Sequence, residues 1–331
     1  MSVPVIAFFN NMGGVGKTSL VYHLAWMYSD LGMRVLAADL DPQANLSAAF
    51  LEEDRLEQLW PDGDHPQTIF GCVQPLLRGV GDVSDAHVEQ VDSKLGLLVG
   101  DLALSRFEDQ LSDVWPRCND RDERAFRVMS AFWRIMQRAG VAHGVNVILM
   151  DLGPNLGAIN RAALISADYV VIPLSPDLFS LQGLRNLGPT LRRWREEWGE
   201  RSGKNPAADV ALPPGRMQPL GYIVLQHSVR LDRPVKAYDR WIARIPCEYR
   251  EEVLGQDRRG TLEPSADPNR LKLLKHYHSL MPLAQEAHKP MFHLKSADGA
   301  IGAHLQAVQG AYKNFKELAK SIASRAGIQT P

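Results

Sequence analysis

The sequence predicts an α/β protein built on a doubly wound, mostly parallel sheet flanked by helices. Three observations predict it. Near the start, the apolar run Val3 to Phe9 is followed by the glycine-rich stretch Asn11 to Ser19, and then by Leu20, Leu24, Met27 and Leu31 at helical spacing. Two apolar runs, Val35 to Ala38 and Val145 to Met150, each end in an aspartate. Further apolar runs, Tyr169 to Leu174 and Leu220 to Leu225, alternate with helical stretches, the pattern of a parallel sheet covered on both faces.

The order strand, glycine loop, helix is what phosphate binding needs. Glycines let successive N–H groups point into one concavity, and the following helix N-terminus adds about half a positive charge. In Asn11-Met12-Gly13-Gly14-Val15-Gly16-Lys17-Thr18-Ser19, Lys17 would reach the β- and γ-phosphates and the Thr18 hydroxyl would ligate Mg²⁺. The alternative is an ordinary glycine turn between a strand and a helix.

Gly32 then stops the first helix, and the second strand ends in Asp39-Leu40-Asp41-Pro42-Gln43. Ligands bind at the carboxyl edge of an open parallel sheet, so Asp39 and Asp41 are expected to face the crevice of the glycine loop rather than merely cap a turn before a helix starting near Asn45. Residues 50 to 94 carry turn signals around short helices such as Gln67 to Leu77, and Leu95 to Gly100 reads as a strand. Asp120 to Arg124 caps a helix bearing Phe126, Met129, Trp133 and Met136, a spacing that reads as a core face. Asp151, followed by Leu152-Gly153-Pro154, is placed to hold a Mg²⁺ shell from the sheet edge. Leu191 to Trp198 reads as a charged helix face with indoles, either solvated or part of a nucleic-acid patch. Residues 199 to 219 read as an exposed loop, His276 and His278 as a weak metal pair, and Asn314 to Arg325 as a terminal helix without the bulky apolar face of a membrane anchor.

Composition narrows the classes. The 331 residues are 45% hydrophobic and 23% charged, enough for a large core. With 37 basic against 38 acidic residues the net charge is −1, so any binding to nucleic acid must come from a local patch. Cys72, Cys118 and Cys247 lie far apart and read as reduced thiols. No stretch approaches the roughly 20 apolar residues of a membrane span. A soluble cytoplasmic protein is expected.

Together Met12 to Thr18, Asp39 to Gln43 and Asp151-Leu152-Gly153-Pro154-Asn155-Leu156-Gly157 resemble the ParA/MinD family of deviant Walker A ATPases. The resemblance is strong over about residues 1–50 and 145–190 and weaker in Gly221 to Leu225 and Leu283 to Ala319. It implies a P-loop NTPase fold in a single domain over residues 1–331, with insertions at about 50–124, 199–219 and 247–271. By the same resemblance Asn11, Gly13, Gly14, Val15, Gly16, Lys17, Thr18 and Ser19 would bind ATP, and the strand end near Gln226 would meet adenine. Thr18, Asp39 and Asp151 would organise Mg²⁺ directly or through water, while Lys17 and Asp41 would act in hydrolysis, Asp41 by positioning the attacking water.

The family implies an ATP-dependent homodimer, a ParB-like or other activator, nonspecific DNA binding and nucleoid association in the ATP state, and no membrane partner. The expected use is partition or positioning of DNA or another cargo. An ATPase switch controlling an effector, as in anti-phage defence, and an ATP-dependent amide-forming ligase are the alternatives. One departure stands out: the family's signature lysine falls at Met12, which carries no charge. A cationic finger in related phosphoryl-transfer sites is worth about 10³–10⁵ in rate. Slow, partner-stimulated hydrolysis is therefore expected, with the Asn11 amide a candidate for contacts across the dimer.

Overall fold

A computed structural model describes residues 2–225, 235–257, 264–274, 277 and 280–330. Its first half runs β1 (Val5–Phe8), α1 (Lys17–Asp30), β2 (Val35–Asp39), α2 (Asn45–Phe50), α3 (Glu53–Leu59), α4 (Ile69–Arg78), β3 (Glu89–Asp92), β4 (Leu95–Leu98), α5 (Glu108–Arg117), α6 (Glu123–Met129) and α7 (Ala131–Ala142). The second half runs β5 (Val147–Asp151), α8 (Ala158–Ile165), β6 (Tyr169–Leu174), α9 (Leu178–Ser202), β7 (Gln218–Leu225), α10 (Val235–Ile242), α11 (Ile245–Glu248), β8 (Arg270–Leu274), α12 (Leu280–Glu286) and α13 (Ala303–Arg325).

The strands form one eight-stranded sheet in the order β3-β4-β2-β5-β1-β6-β7-β8. All neighbours are parallel except the β3–β4 pair at one edge. Side chains alternate between the faces, as the two-residue strand period requires. Val5 and Ala7 of β1, Leu36 and Ala38 of β2, and Ile148 and Met150 of β5 pack into one layer. Ile6 and Phe8, Val35 and Ala37, and Val147 and Leu149 pack into the other. Both faces are covered, which is why these strands read as continuous apolar runs.

The predicted strands are present, and the sheet adds two that the pattern did not mark. In β3, Glu89, Gln90, Val91 and Asp92 form a polar edge joined to β4 by a tight turn. In β8, leucines alternate with arginine and lysine at the end of a segment read as inserted to about residue 271. The single helix expected from Phe126 to Met136 is two, α6 and α7, broken at Ser130, and Trp133 is only half-buried while Phe126, Met129 and Met136 are core.

The indoles of α9 are also core. Trp194 and Trp198 are buried, and Arg195 donates to the carbonyls of Arg216 and Met217. Neither a plainly solvated face nor an indole-bearing nucleic-acid patch describes this stretch. The loop after α9 is strapped onto the core, with Trp198 Nε1 donating to the Pro213 carbonyl at 2.9 Å and Ala207, Val210 and Met217 buried, so it is not simply exposed. α13 begins well before Asn314, and its buried Val308, Phe315, Leu318 and Ile322 pack in the layer of α1, where Tyr28 donates to the Ala319 carbonyl. Among the described residues no helix is long and apolar enough to cross a membrane, and no cluster of metal-ligating side chains is found. His276 and His278 lie outside the described residues.

Candidate functional site

β1, β5 and β2 are adjacent, so the glycine loop, Asp151 and Asp39 leave the sheet at the same edge. Gly14 and Gly16 adopt φ of 72° and 75°, left-handed conformations that a side chain rarely tolerates. A Cβ on Gly16 would also stand 2.7 Å from Leu225 Cδ1. Asn10 anchors the loop, donating to the Pro173 carbonyl at 2.7 Å and accepting from Met12 N–H at 3.0 Å. Lys17 heads α1 and donates from Nζ to the Met12 carbonyl at 2.9 Å. Burial holds its ammonium below the usual lysine range, while Asp151 and Asp41 oppose that shift.

The Thr18 hydroxyl donates to Asp151 Oδ2 at 2.6 Å, joining the loop to the end of β5. Asp151 Oδ1 is buried with no hydrogen-bond partner. Asp39 sits in register with Asp151 on the neighbouring strand. Its Oδ2 accepts from both the N–H and the hydroxyl of Ser47 at 2.8 Å, and its Oδ1 from Asp41 N–H at 3.3 Å. Burial pushes the Asp39 carboxyl up to about 7, and burial together with the charge of Asp39 pushes Asp151 up to about 8. Asp41 is buried at the mouth and accepts from Gln43 N–H at 3.0 Å.

In front of these groups lies a cleft of about 660 Å³. Gly13, Gly14, Gly16, Lys17, Thr18, Ser19 and Asp41 line it, with Tyr22 and His23 of α1, Pro154, and Gln285, His288 and Lys289 at the end of α12. Val15 is buried beside the loop, and Asn11 Oδ1 is buried without a partner, close to Gly183 of α9. Asp39 and Asp151 lie behind the lining rather than in it. Gln226 falls outside the described residues. His23 is neutral: burial lowers its pKa to about 4, and its ring is held between the Ser19 carbonyl on Nδ1 and Met291 N–H on Nε2. The Met12 side chain lies against Gly183, where a Cβ would meet its Cγ at 3.2 Å.

The donor set suits the expected group. A hydroxyl and hard carboxylate oxygens are Mg²⁺ ligands, and the orphaned Asp151 Oδ1 is a buried acceptor without a donor. The left-handed glycines form a backbone concavity suited to phosphate.

A family profile described as an AAA domain matches residues 3–202, more than half of the chain. The sporulation initiation inhibitor protein Soj of Bacillus subtilis is 29% identical over 189 residues, 57% of this chain and 64% of Soj. The chromosome partitioning protein ParA of Caulobacter vibrioides is 30% identical over 191 residues, 58% of this chain and 63% of that protein. The chain belongs to the ParA/MinD family of P-loop ATPases. It is thus a ParA-like member of an ATP-binding family. Its matched stretch spans less than two thirds of either relative, and 45% of protein IncC of Escherichia coli, to which it is 30% identical over 57% of its own length.

Solved structures show the same fold. Protein DIP2308 of Corynebacterium diphtheriae superposes with a TM-score of 0.72 at 23% identity, covering 98% of each chain. An ATP complex of Cyanothece McdA superposes with a TM-score of 0.64 at 16% identity, covering 100% of this chain and 98% of that one.

The reading from sequence did not single out Ser47, Glu108 or Asn160. Ser47 holds Asp39, and Glu108 and Asn160 hold the backbone after Asp151. Only Asn160 had a local signal, an amide side chain in the first turn of a helix that follows a Gly-Pro loop. Ser47 and Glu108 act across 8 and 50 residues.

Proposed function

We propose that this ParA-like chain is a Mg-ATP-dependent switch that hydrolyses ATP slowly and positions DNA or another cargo. The observation that carries the reading is the 2.6 Å bond from Thr18 to Asp151, whose second oxygen is buried and unpartnered beside a left-handed glycine loop. Asn11 and Gly13 to Ser19 would receive the nucleotide's phosphates, with Lys17 turning from the Met12 carbonyl to a phosphate oxygen. Gln226 would meet the base. Thr18 and Asp151 would hold Mg²⁺, and Asp39, whose oxygens already accept three hydrogen bonds, would reach it through water. Bound Mg²⁺ supplies neutralisation of charge on the β- and γ-oxygens. Asp41, buried at the mouth, would orient the attacking water.

ATP would close a homodimer across the cleft mouth, and that form would bind DNA and a ParB-like activator in the cytoplasm or on the nucleoid. Partner-specific surface would come from the segments at about 50–124, 199–219 and 247–271, insertions in a single ATPase domain. The likeness to the chromosome partitioning protein ParA of Caulobacter vibrioides supports this use.

Light scattering of the purified chain with Mg²⁺ and either ATP or ADP, with and without duplex DNA at two salt concentrations, tests the proposal. ATP alone should double the mass, and the dimer should load onto DNA with a steep salt dependence. The same mass in ATP as in ADP, together with no retained nucleotide, would overturn it. Asp41→Ala should keep the ATP dimer and lose turnover; undiminished turnover would remove Asp41 from the mechanism.

A further inference from the structure

The loop from Leu152 to Gly157 follows Asp151 and touches the site at two more points. A Cβ on Gly153 would stand 3.0 Å from Asp41 Oδ1, and Pro154 lines the cleft opposite Gly13. The backbone position of this loop therefore sets the space around Asp41. From within, the loop is closed by Asn160, whose Nδ2 donates to the carbonyls of Gly153 at 2.9 Å and Asn155 at 2.7 Å. Asn155 Oδ1 accepts from Gly157 N–H at 2.8 Å.

At its far end the loop enters α8, whose first N–H groups have no partner inside the helix. The residue in the capping position is Gly157, which has no side chain to supply an acceptor. The acceptor comes from α5 instead. Glu108 Oε1 accepts from Ala158 N–H at 2.5 Å and Oε2 from Ile159 N–H at 2.8 Å. A Cβ on Gly157 would meet Glu108 Oε1 at 2.6 Å, so this approach requires glycine there. α5 is itself wedged in place. Its Trp115 ring lies under the guanidinium groups of Arg161 on α8 and Arg201 on α9, at 4.5 and 4.2 Å, and stacks on Trp198.

We propose that Glu108 is a positioning residue for ATP hydrolysis, a two-pronged carboxylate clamp that fixes the loop after Asp151 from the side away from the nucleotide. The inference rests on the reading of the cleft as an ATPase site. Glu108 does not border the cleft, and it acts through the backbone from Gly153 to Ile159, which carries Pro154 and abuts Asp41. A carboxylate bound by two adjacent N–H groups resists both translation and rotation of the helix start. Loosening it lets the loop drift from Asp41 while the glycine loop that receives the phosphates stays intact.

The test compares kcat, KM and ATP affinity in wild type, Glu108→Ala, Glu108→Gln and Gly157→Ala, with Lys17→Ala as the control for the site itself. Glu108→Ala should lower kcat about 10-fold, within the about 10²-fold that a 1 Å misplacement can produce, and leave KM and ATP affinity within about twofold. Glu108→Gln keeps one acceptor oxygen and should fall between that variant and wild type. Gly157→Ala should reproduce the loss with the carboxylate still present, and combining it with Glu108→Ala should add little, because both break one contact.

A purely structural cap would lower the melting temperature and leave kcat per folded molecule unmoved. That result, or a parallel fall in kcat and affinity, overturns the clamp. Wild-type protein that binds no ATP, or Lys17→Ala that binds it as well as wild type, overturns the ATPase reading and the clamp with it.

Discussion

Asp39 and Asp151 end adjacent strands in direct register, both buried to the last atom, and yet they are different chemical objects. Asp39 is saturated: Ser47 gives it two donors and Asp41 a third, and a Cβ on Gly100 would stand only 2.7 Å from its Cγ. Asp151 has one donor, Thr18, and an oxygen with none. A buried acceptor left open next to a second carboxylate is unfavourable unless a cation or proton arrives. Residue type and strand position are thus shared, and the count of donors around each carboxylate fits Asp39 to holding structure and leaves Asp151 an oxygen open to a charge.

The largest expected effect breaks the comparison on the receiving side. Asp151→Asn keeps an acceptor for Thr18 and removes the open charge, so Mg²⁺-dependent ATP hydrolysis should fall on the order of 10²–10³-fold, read by steady-state turnover across a Mg²⁺ titration. Unchanged turnover would mean that the open oxygen has no part in the reaction.

Next comes the holding side. Asp39→Ala strands the buried N–H of Ser47 and should destabilise the protein by about 1–3 kcal/mol, read by denaturant unfolding without nucleotide. If Asp39→Ala unfolds at the wild-type midpoint, the difference drawn between the two carboxylates disappears.

A third effect is on pH. Both carboxyls titrate higher in the folded chain than in the unfolded one, Asp39 near 7 and Asp151 near 8. Between about pH 4 and 8 the folded state therefore holds protons that the unfolded state has released, so stability from this pair is greatest at low pH and is lost as pH rises through that window. The nucleotide-free melting temperature should carry this downward contribution from pH 6 to pH 8.5, and Asp151→Asn should flatten the slope. Mg²⁺ should restore more stability at pH 8.5 than at pH 6. An identical slope in wild type and Asp151→Asn would show that Asp151 keeps an ordinary carboxylate pKa.

Much of the site's frame was legible in the sequence because its signals are local. Gly14 and Gly16 mark left-handed turns, Lys17 and Thr18 open a helix, and Asp39 and Asp151 close apolar runs, so a few neighbouring residues suffice to place each. The edge strand β3 was missed because Glu89, Gln90 and Asp92 are residues of a solvated hairpin, and β8 because its leucines alternate with basic residues. Trp194 and Trp198 were read from their charged neighbours, although the period of α9 turns the indoles inward.

By itself, then, the sequence determined the doubly wound sheet, the phosphate-type loop and the edge at which its chemistry gathers, because backbone preferences and hydrophobic period act over a few residues. The tertiary structure decided which carboxylate is saturated and which is open, and which side chain steadies the loop after Asp151. Ser47 reaches Asp39 through a turn, Glu108 reaches α8 across 50 residues, and Trp115 wedges between Arg161 and Arg201. Such contacts depend on where the packed helices bring two distant positions together, and no pattern within either segment encodes the meeting.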